Sequence, residues 1–161
     1  MRRGPIILLV ASVALALGLY FAPRTPDQSK GSLATEEAVD AKAEKVRQAA
    51  AIIENGDRPP MEAITLLREV LEEDPDYVPA LLKMGEFSLL SGQFDKARDR
   101  FEHAVEVEPG SFPAVAGLAQ ALLSLGDQEG ASTALQQFIE QHPNHPDLES
   151  AREMLNTING N

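Results

Sequence analysis

A set of small and apolar residues returns every 34 positions along the chain, and no other feature restricts the fold so tightly. Between Val78 and Ser111, the residues Gly85, Gly92, Ala97, Phe101, Ala104 and Pro109 stand at offsets where two antiparallel helices need small or apolar side chains to nest. One period later the set returns as Ala119, Gly126, Ala131, Leu135, Phe138 and Pro143; one period earlier it gives Ala63, Leu67, Val70 and Pro75. A fixed period of this size marks stacked supersecondary units, each too small to bury its apolar face without its neighbours.

Local signals divide each period into two helices. In the second repeat the spacing predicts helices over Pro79–Leu90 and Phe94–Val107, joined by Ser91-Gly92. In the third it predicts Pro113–Ser124 and Gln128–Gln141, joined by Leu125-Gly126-Asp127. Gly85 and Ala97 are small because two backbones approach there, and Phe101 fills the space between successive hairpins. Gly117 costs about 1 kcal/mol against alanine inside a helix, which implies a close contact or some give. Upstream, Thr35 to Glu54 reads as a helix with Thr35 as cap and Glu36 and Glu37 in the first turn. Its apolar residues Val39, Ala43, Val46, Ala50 and Ile53 alternate steps of four and three. This is the first helix of repeat one with an N-terminal extension; the rival reading is a dimer seam through Val39, Val46 and Ile53. Asn55-Gly56 ends it, and Pro59-Pro60 suits the first turn of the next helix. Repeat one is the least regular, with Arg58 where its successors have glycine. Pro146 to Ile158 carries Leu148, Ala151, Leu155 and Ile158 on one stripe, as expected of a helix covering the apolar end of the stack.

This period, with these residue types, resembles the tetratricopeptide repeat family over roughly residues 44–145, with repeats at 44–77, 78–111 and 112–145 and a capping helix at 146–158. The resemblance implies an all-α, right-handed solenoid of about three helix-turn-helix repeats occupying residues 35–161. Leu81 and Ser88 replace bulky aromatic residues that many members carry, so the expected core is light. The resemblance also implies a binding scaffold whose first helices line a concave groove. Carried over by register, the groove residues are Gln48 and Ile52 from repeat one, Leu82, Glu86 and Leu89 from repeat two, and Ala116, Gln120 and Leu123 from repeat three, with Lys83 at the rim. One branch of the family grips a free C-terminal carboxylate with cations and asparagine. Here those positions hold Gln48, Ile52, Lys83, Pro113 and Gly117, a single cation, so an apolar peptide strand or helix is the expected occupant.

Ahead of the repeats, residues 1–22 read MRRGPIILLVASVALALGLYFA. Two arginines precede about 19 mostly apolar residues, roughly 28 Å as a helix, close to the thickness of a bilayer core. Tyr20 and Phe21 suit the far interface, and the charge bias predicts the N-terminus in the cytoplasm and the repeats on the extracytoplasmic side, periplasmic in a Gram-negative cell. A cleaved signal peptide is the rival reading, with Ala14-Leu15-Ala16 as a poorly placed site. Residues 23–34, with two prolines and a glycine, read as a flexible linker.

The chain has 25 acidic and 14 basic residues, a net charge of −11. Two of the cations, Arg2 and Arg3, lie before the apolar segment. A body this acidic repels phosphate backbones, which excludes nucleic acid as the expected partner, and it disfavours docking of the repeats on anionic lipid. There is no cysteine, hence no disulfide and no thiolate site. His142-Pro-Asn-His145 has a ligand-like spacing in a turn without a third donor beyond Asp147, and the acidic run Glu72-Glu73-Asp74 lacks a calcium-loop pattern. No nucleophile elbow, phosphate loop or catalytic carboxylate pair is present. The expectation is a non-enzymatic, cofactor-free, membrane-tethered adaptor that binds a protein or peptide partner and assists assembly of an extracytoplasmic complex. The alternatives are a self-associating structural subunit, including a homodimer, and an assembly factor in c-type cytochrome maturation, which the anchor-plus-repeats architecture resembles.

Overall fold

The computed structural model describes residues 28–160, with side-chain environments from residue 41 onward. Seven helices make up this part: α1 Gln28–Asn55, α2 Pro60–Glu73, α3 Val78–Leu90, α4 Phe94–Val107, α5 Phe112–Ser124, α6 Gln128–Gln141 and α7 Leu148–Asn159. Residues 39–161 form one compact unit. Within it, helices from α2 onward pack on their neighbours in chain order, and α3 also touches α5 one hairpin away. Short loops between packed neighbours make these antiparallel hairpins.

The 34-residue period is written into the backbone hydrogen bonds as well as the side chains. At the end of each second helix, the N–H of Asp74, Glu108 and His142 donates to the carbonyl of Val70, Ala104 and Phe138 respectively, each at 2.9 Å. Three residues later, the N–H of Tyr77, Ser111 and His145 donates back to Asp74, Glu108 and His142. Pro75, Pro109 and Pro143 sit inside these turns, where a missing N–H costs nothing and the helix cannot continue. The turn within each of the later two hairpins is equally uniform. Gly92 and Gly126 adopt positive φ of 71° and 84°. Gln93 and Asp127 donate to the carbonyls of Ser88 and Leu122 at 2.8 Å, while Gly92 and Gly126 donate to Leu89 and Leu123. This paired closure satisfies helix-end carbonyls and needs a residue without a Cβ at the left-handed position.

The core is built from triplets one period apart. Ala63, Ala97 and Ala131 are fully buried, as are Leu67, Phe101 and Leu135 and then Val70, Ala104 and Phe138, with none more than 2% exposed. The alanines let helices approach; the larger members fill the space between hairpins. Phe101 shows how tightly. Its ring lies against the backbone of Gly85 on α3 and of Gly117 on α5, so that a Cβ on Gly85 would stand 2.6 Å from the ring, and one on Gly117 would also overlap it. Gly117 therefore marks a close contact. At the C-terminal end, Ala151 is buried, and Met154, Leu155 and Ile158 of α7 pack on the cluster around Leu135 and Phe138. The last helix covers the apolar end of the stack, as its stripe predicts.

The N-terminal hairpin departs from the sequence reading in three ways. First, α1 begins at Gln28, so residues 28–34 are helical and are not a flexible linker. No proline interrupts the chain from Gln28 to Asn55, and propagation is favourable once a helix exists, so Gly31 alone, at about 1 kcal/mol, does not stop it. Second, the α1–α2 turn takes its positive φ at Gly56, two residues before Arg58. Third, this loop has four residues against three in the other hairpins. Each added residue rotates the face of a helix by about 100°, so a strict 34-residue offset no longer carries the face of α3 onto α1. Val46, Ala49 and Ile52 form the buried stripe, packed with Ala63, Leu67 and Val70. Burial of Val46 also removes it from any dimer seam. The segment 1–22 and residues 23–27 lie outside the described residues. Among the described residues no helix is long and apolar enough to cross a membrane.

Charged side chains tie α1 to the rest of the hairpin. Lys42 Nζ lies 2.8 Å from Asp74 Oδ2 and 5.8 Å from the centre of the Tyr77 ring. Lys45 reaches Glu69 at 3.1 Å and Glu73 at 3.2 Å. The hydrogen bond from Lys42 holds the Asp74 carboxyl below the usual carboxylate range, against a smaller opposing effect of burial.

Candidate partner-binding cleft

Two first helices, α1 and α3, leave a cleft of about 140 Å³ between them. From α1 come Ala50, Ile53 and Glu54; from α3 come Lys83, Glu86, Phe87 and Leu90. The α3 residues are spaced three, one and three apart, which places them on one helical stripe. Ile53 and Phe87 are half-buried and form the apolar wall. Leu90 at the end of α3 is 76% exposed, the most exposed large apolar side chain among the described residues. Such a residue over a concave apolar lining is what a docking anchor requires, whereas isolated exposed leucines elsewhere need no explanation. Lys83 and Glu86 close the rim and pair with each other at 2.6 Å.

The nine residues expected in the groove do not share one surface. Lys83 and Glu86 line the cleft. Ile52 does not, being 3% exposed in the α1–α2 core. Gln48 is exposed, but it borders a different depression of about 310 Å³ with Arg58, Met61, Glu62, Thr65 and Leu66, and it donates to Glu44. Leu82 and Leu89 are half-buried and pack against the Phe101 cluster, so they belong largely to the core. On α5, Ala116 is half-buried, Gln120 is exposed, and Leu123 is 37% exposed. Leu123, with Leu125 just past the end of α5 and 39% exposed, adds apolar surface there, although the position one period after Leu90 is Ser124. Phe87 and Leu90 line the cleft but lie outside the positions that the family register assigns to the groove. Their spacing with Lys83 and Glu86 was visible as a helical stripe one residue around α3 from Leu82 and Leu89.

The histidines serve the scaffold. His142 and His145 occupy the helix-ending and turn-closing positions of the last inter-hairpin turn, and both rings lie on Phe138, with centroids 5.2 and 5.0 Å away. His145 Nδ1 accepts the Asp147 N–H at 3.1 Å. His103 is part-covered and lies 2.8 Å from Asp76 Oδ1, joining α4 to the α2–α3 turn. Among the described residues, no three His, Cys, Asp or Glu side chains converge as a metal shell would require.

Comparison with known proteins agrees with this architecture. The tetratricopeptide repeat profile matches residues 60–106 and 88–155. A TPR repeat-containing protein of Rhizobium etli is 25% identical over 96 residues, 60% of this chain and 46% of that protein. The chain thus spans about half the length of that curated relative. A crystal structure of a tetratricopeptide repeat protein from Parabacteroides merdae matches with a TM-score of 0.57 at 19% identity, over 95% of this chain and 67% of that one. At that identity the likeness speaks for the fold alone. With the 34-residue period in its sequence, its backbone turns and its core triplets, and a family profile spanning more than half its length, this chain belongs to the tetratricopeptide repeat family.

Proposed function

We propose that the chain is a membrane-tethered scaffold that holds a protein or peptide partner in the α1–α3 cleft on the extracytoplasmic side and assists assembly of a complex there. The fold is one used for protein–protein interaction, and fold alone does not specify a partner. The observation that carries the reading is Leu90, 76% exposed at the edge of a cleft walled by Ile53 and Phe87. Tethering is supported by the sequence of residues 1–22, with two arginines before an apolar run long enough to span a bilayer. Nothing in the residues that line the cleft supplies a nucleophile with an adjacent base, which supports a binding role over a catalytic one.

The test uses the full-length chain in its native membrane. Leu90→Lys should abolish co-purification of the partner, since a buried cation would replace the apolar anchor. Its thermal unfolding should match that of the native chain, because an exposed side chain carries little fold stability. Equal capture by the variant would remove the cleft from the account. Extraction of the chain by alkaline carbonate would remove the tether.

A further inference from the structure

The cleft has a charge preference as well as an apolar one. Its mouth carries two carboxylates, Glu54 and Glu86, both exposed, and one cation, Lys83. Lys83 and Glu86 neutralise one another, with Lys83 Nζ 2.6 Å from Glu86 Oε2, which leaves Glu54 as the net charge at the mouth. Glu54 has no ion pair among the described residues. The same pattern holds across the scaffold. Arg58 pairs with Glu62, Arg98 with Asp95 and Asp99, and Arg152 with Glu149. These cations are paired in place, and the chain as a whole carries a net charge of −11. A field of this sign attracts a cationic segment during encounter and repels an acidic one. The cavity itself is small, with room for an apolar side chain and not for a folded element.

We propose that the occupant of this cleft is a protein segment bearing an apolar anchor residue flanked by lysine or arginine, the anchor seated on Ile53, Phe87 and Leu90 and the cation meeting Glu54 beside the Lys83–Glu86 pair. The proposal rests on the cleft reading above and adds the chemistry of the partner. It differs from the preference of family members that grip a free C-terminal carboxylate, because the one cation of this cleft, Lys83, is already paired with Glu86.

The experiment selects a random dodecapeptide phage library on the full-length chain in phosphatidylcholine nanodiscs, with empty nanodiscs for counter-selection. The enriched peptides should combine an aliphatic or aromatic residue with a nearby Lys or Arg. Replacing that Lys or Arg by Gln in a synthetic winner should weaken binding roughly three- to tenfold. Glu54→Lys with Glu86→Lys, both at exposed positions, should do at least the same. Enriched peptides that are acidic or charge-neutral, yet lose binding with Leu90→Lys, would overturn the cationic partner while leaving the cleft in place. Winners indifferent to both Leu90→Lys and Ile53→Lys would overturn the cleft itself. No enrichment over empty nanodiscs would count against both.

Discussion

Phe101 is the side chain on which the stack turns. It is 1% exposed, and its ring occupies the space that side chains on Gly85 and Gly117 would otherwise fill. Two glycines inside helices each cost about 1 kcal/mol in propensity, and the burial of one aromatic ring between two hairpins offsets that cost. Phe101→Ala should destabilise the fold by about 3–5 kcal/mol in chemical denaturation, because the gap between α3, α4 and α5 cannot close. Gly117→Ala should cost on the order of 1–3 kcal/mol by overpacking. The two effects should be coupled: in a Phe101→Leu background, Gly117→Ala should cost less, with an interaction on the order of 0.5–3 kcal/mol. Additive losses in that cycle would mean that the ring does not bear on Gly117.

At the scale of elements, the helices and turns from Pro60 onward were legible in the sequence; of α1, the helix and its end at Asn55 were legible, but its start and its buried face were not. Ala63, Ala97 and Ala131 announce the α2, α4 and α6 contacts because a 34-residue offset preserves helix phase when every loop has the same length. The α1–α2 loop has one residue more, so the offset fails there and turns Ile52 from an expected groove position into a core residue. The stripe from Val39 to Ile53 straddles two surfaces for the same reason: Val46 is buried, while Ala50 and Ile53 reach the cleft. The ion pair of Lys42 with Asp74, which helps to fix α1, was invisible because it joins residues on different elements. It yields a pH test. Asp74 has a depressed carboxyl in the folded chain, so its contribution to stability is present above the ordinary carboxylate range and is lost as pH falls through the depressed value. Lys42→Met should flatten the loss of thermal stability between about pH 6 and pH 2 relative to the native chain. Parallel curves for the two proteins would show that the pair carries no pH-dependent stability.

Among the described residues as a whole, the C-terminal end of the stack is covered by α7 and few large apolar side chains face solvent. Leu90 over the α1–α3 cleft is the foremost among the described residues. Met61, 62% exposed beside the larger depression on α1 and α2, is the next. The cleft stands out because Leu90 is continuous with an apolar wall formed by two successive first helices, the arrangement in which a stacked repeat concentrates its binding surface. The central claim is that a partner protein occupies that cleft. A photo-reactive amino acid placed at position 90 of the full-length chain, crosslinked in cells and identified by mass spectrometry, tests it most directly. Position 107 on α4, where Val107 is 40% exposed away from the cleft, is the control. The account predicts one recurrent protein adduct at position 90, its linked peptide rich in apolar and basic residues, and no such adduct at position 107. Adducts at position 90 only to a second copy of the chain or to its own N-terminal segment, or the same adducts at both positions, would contradict it.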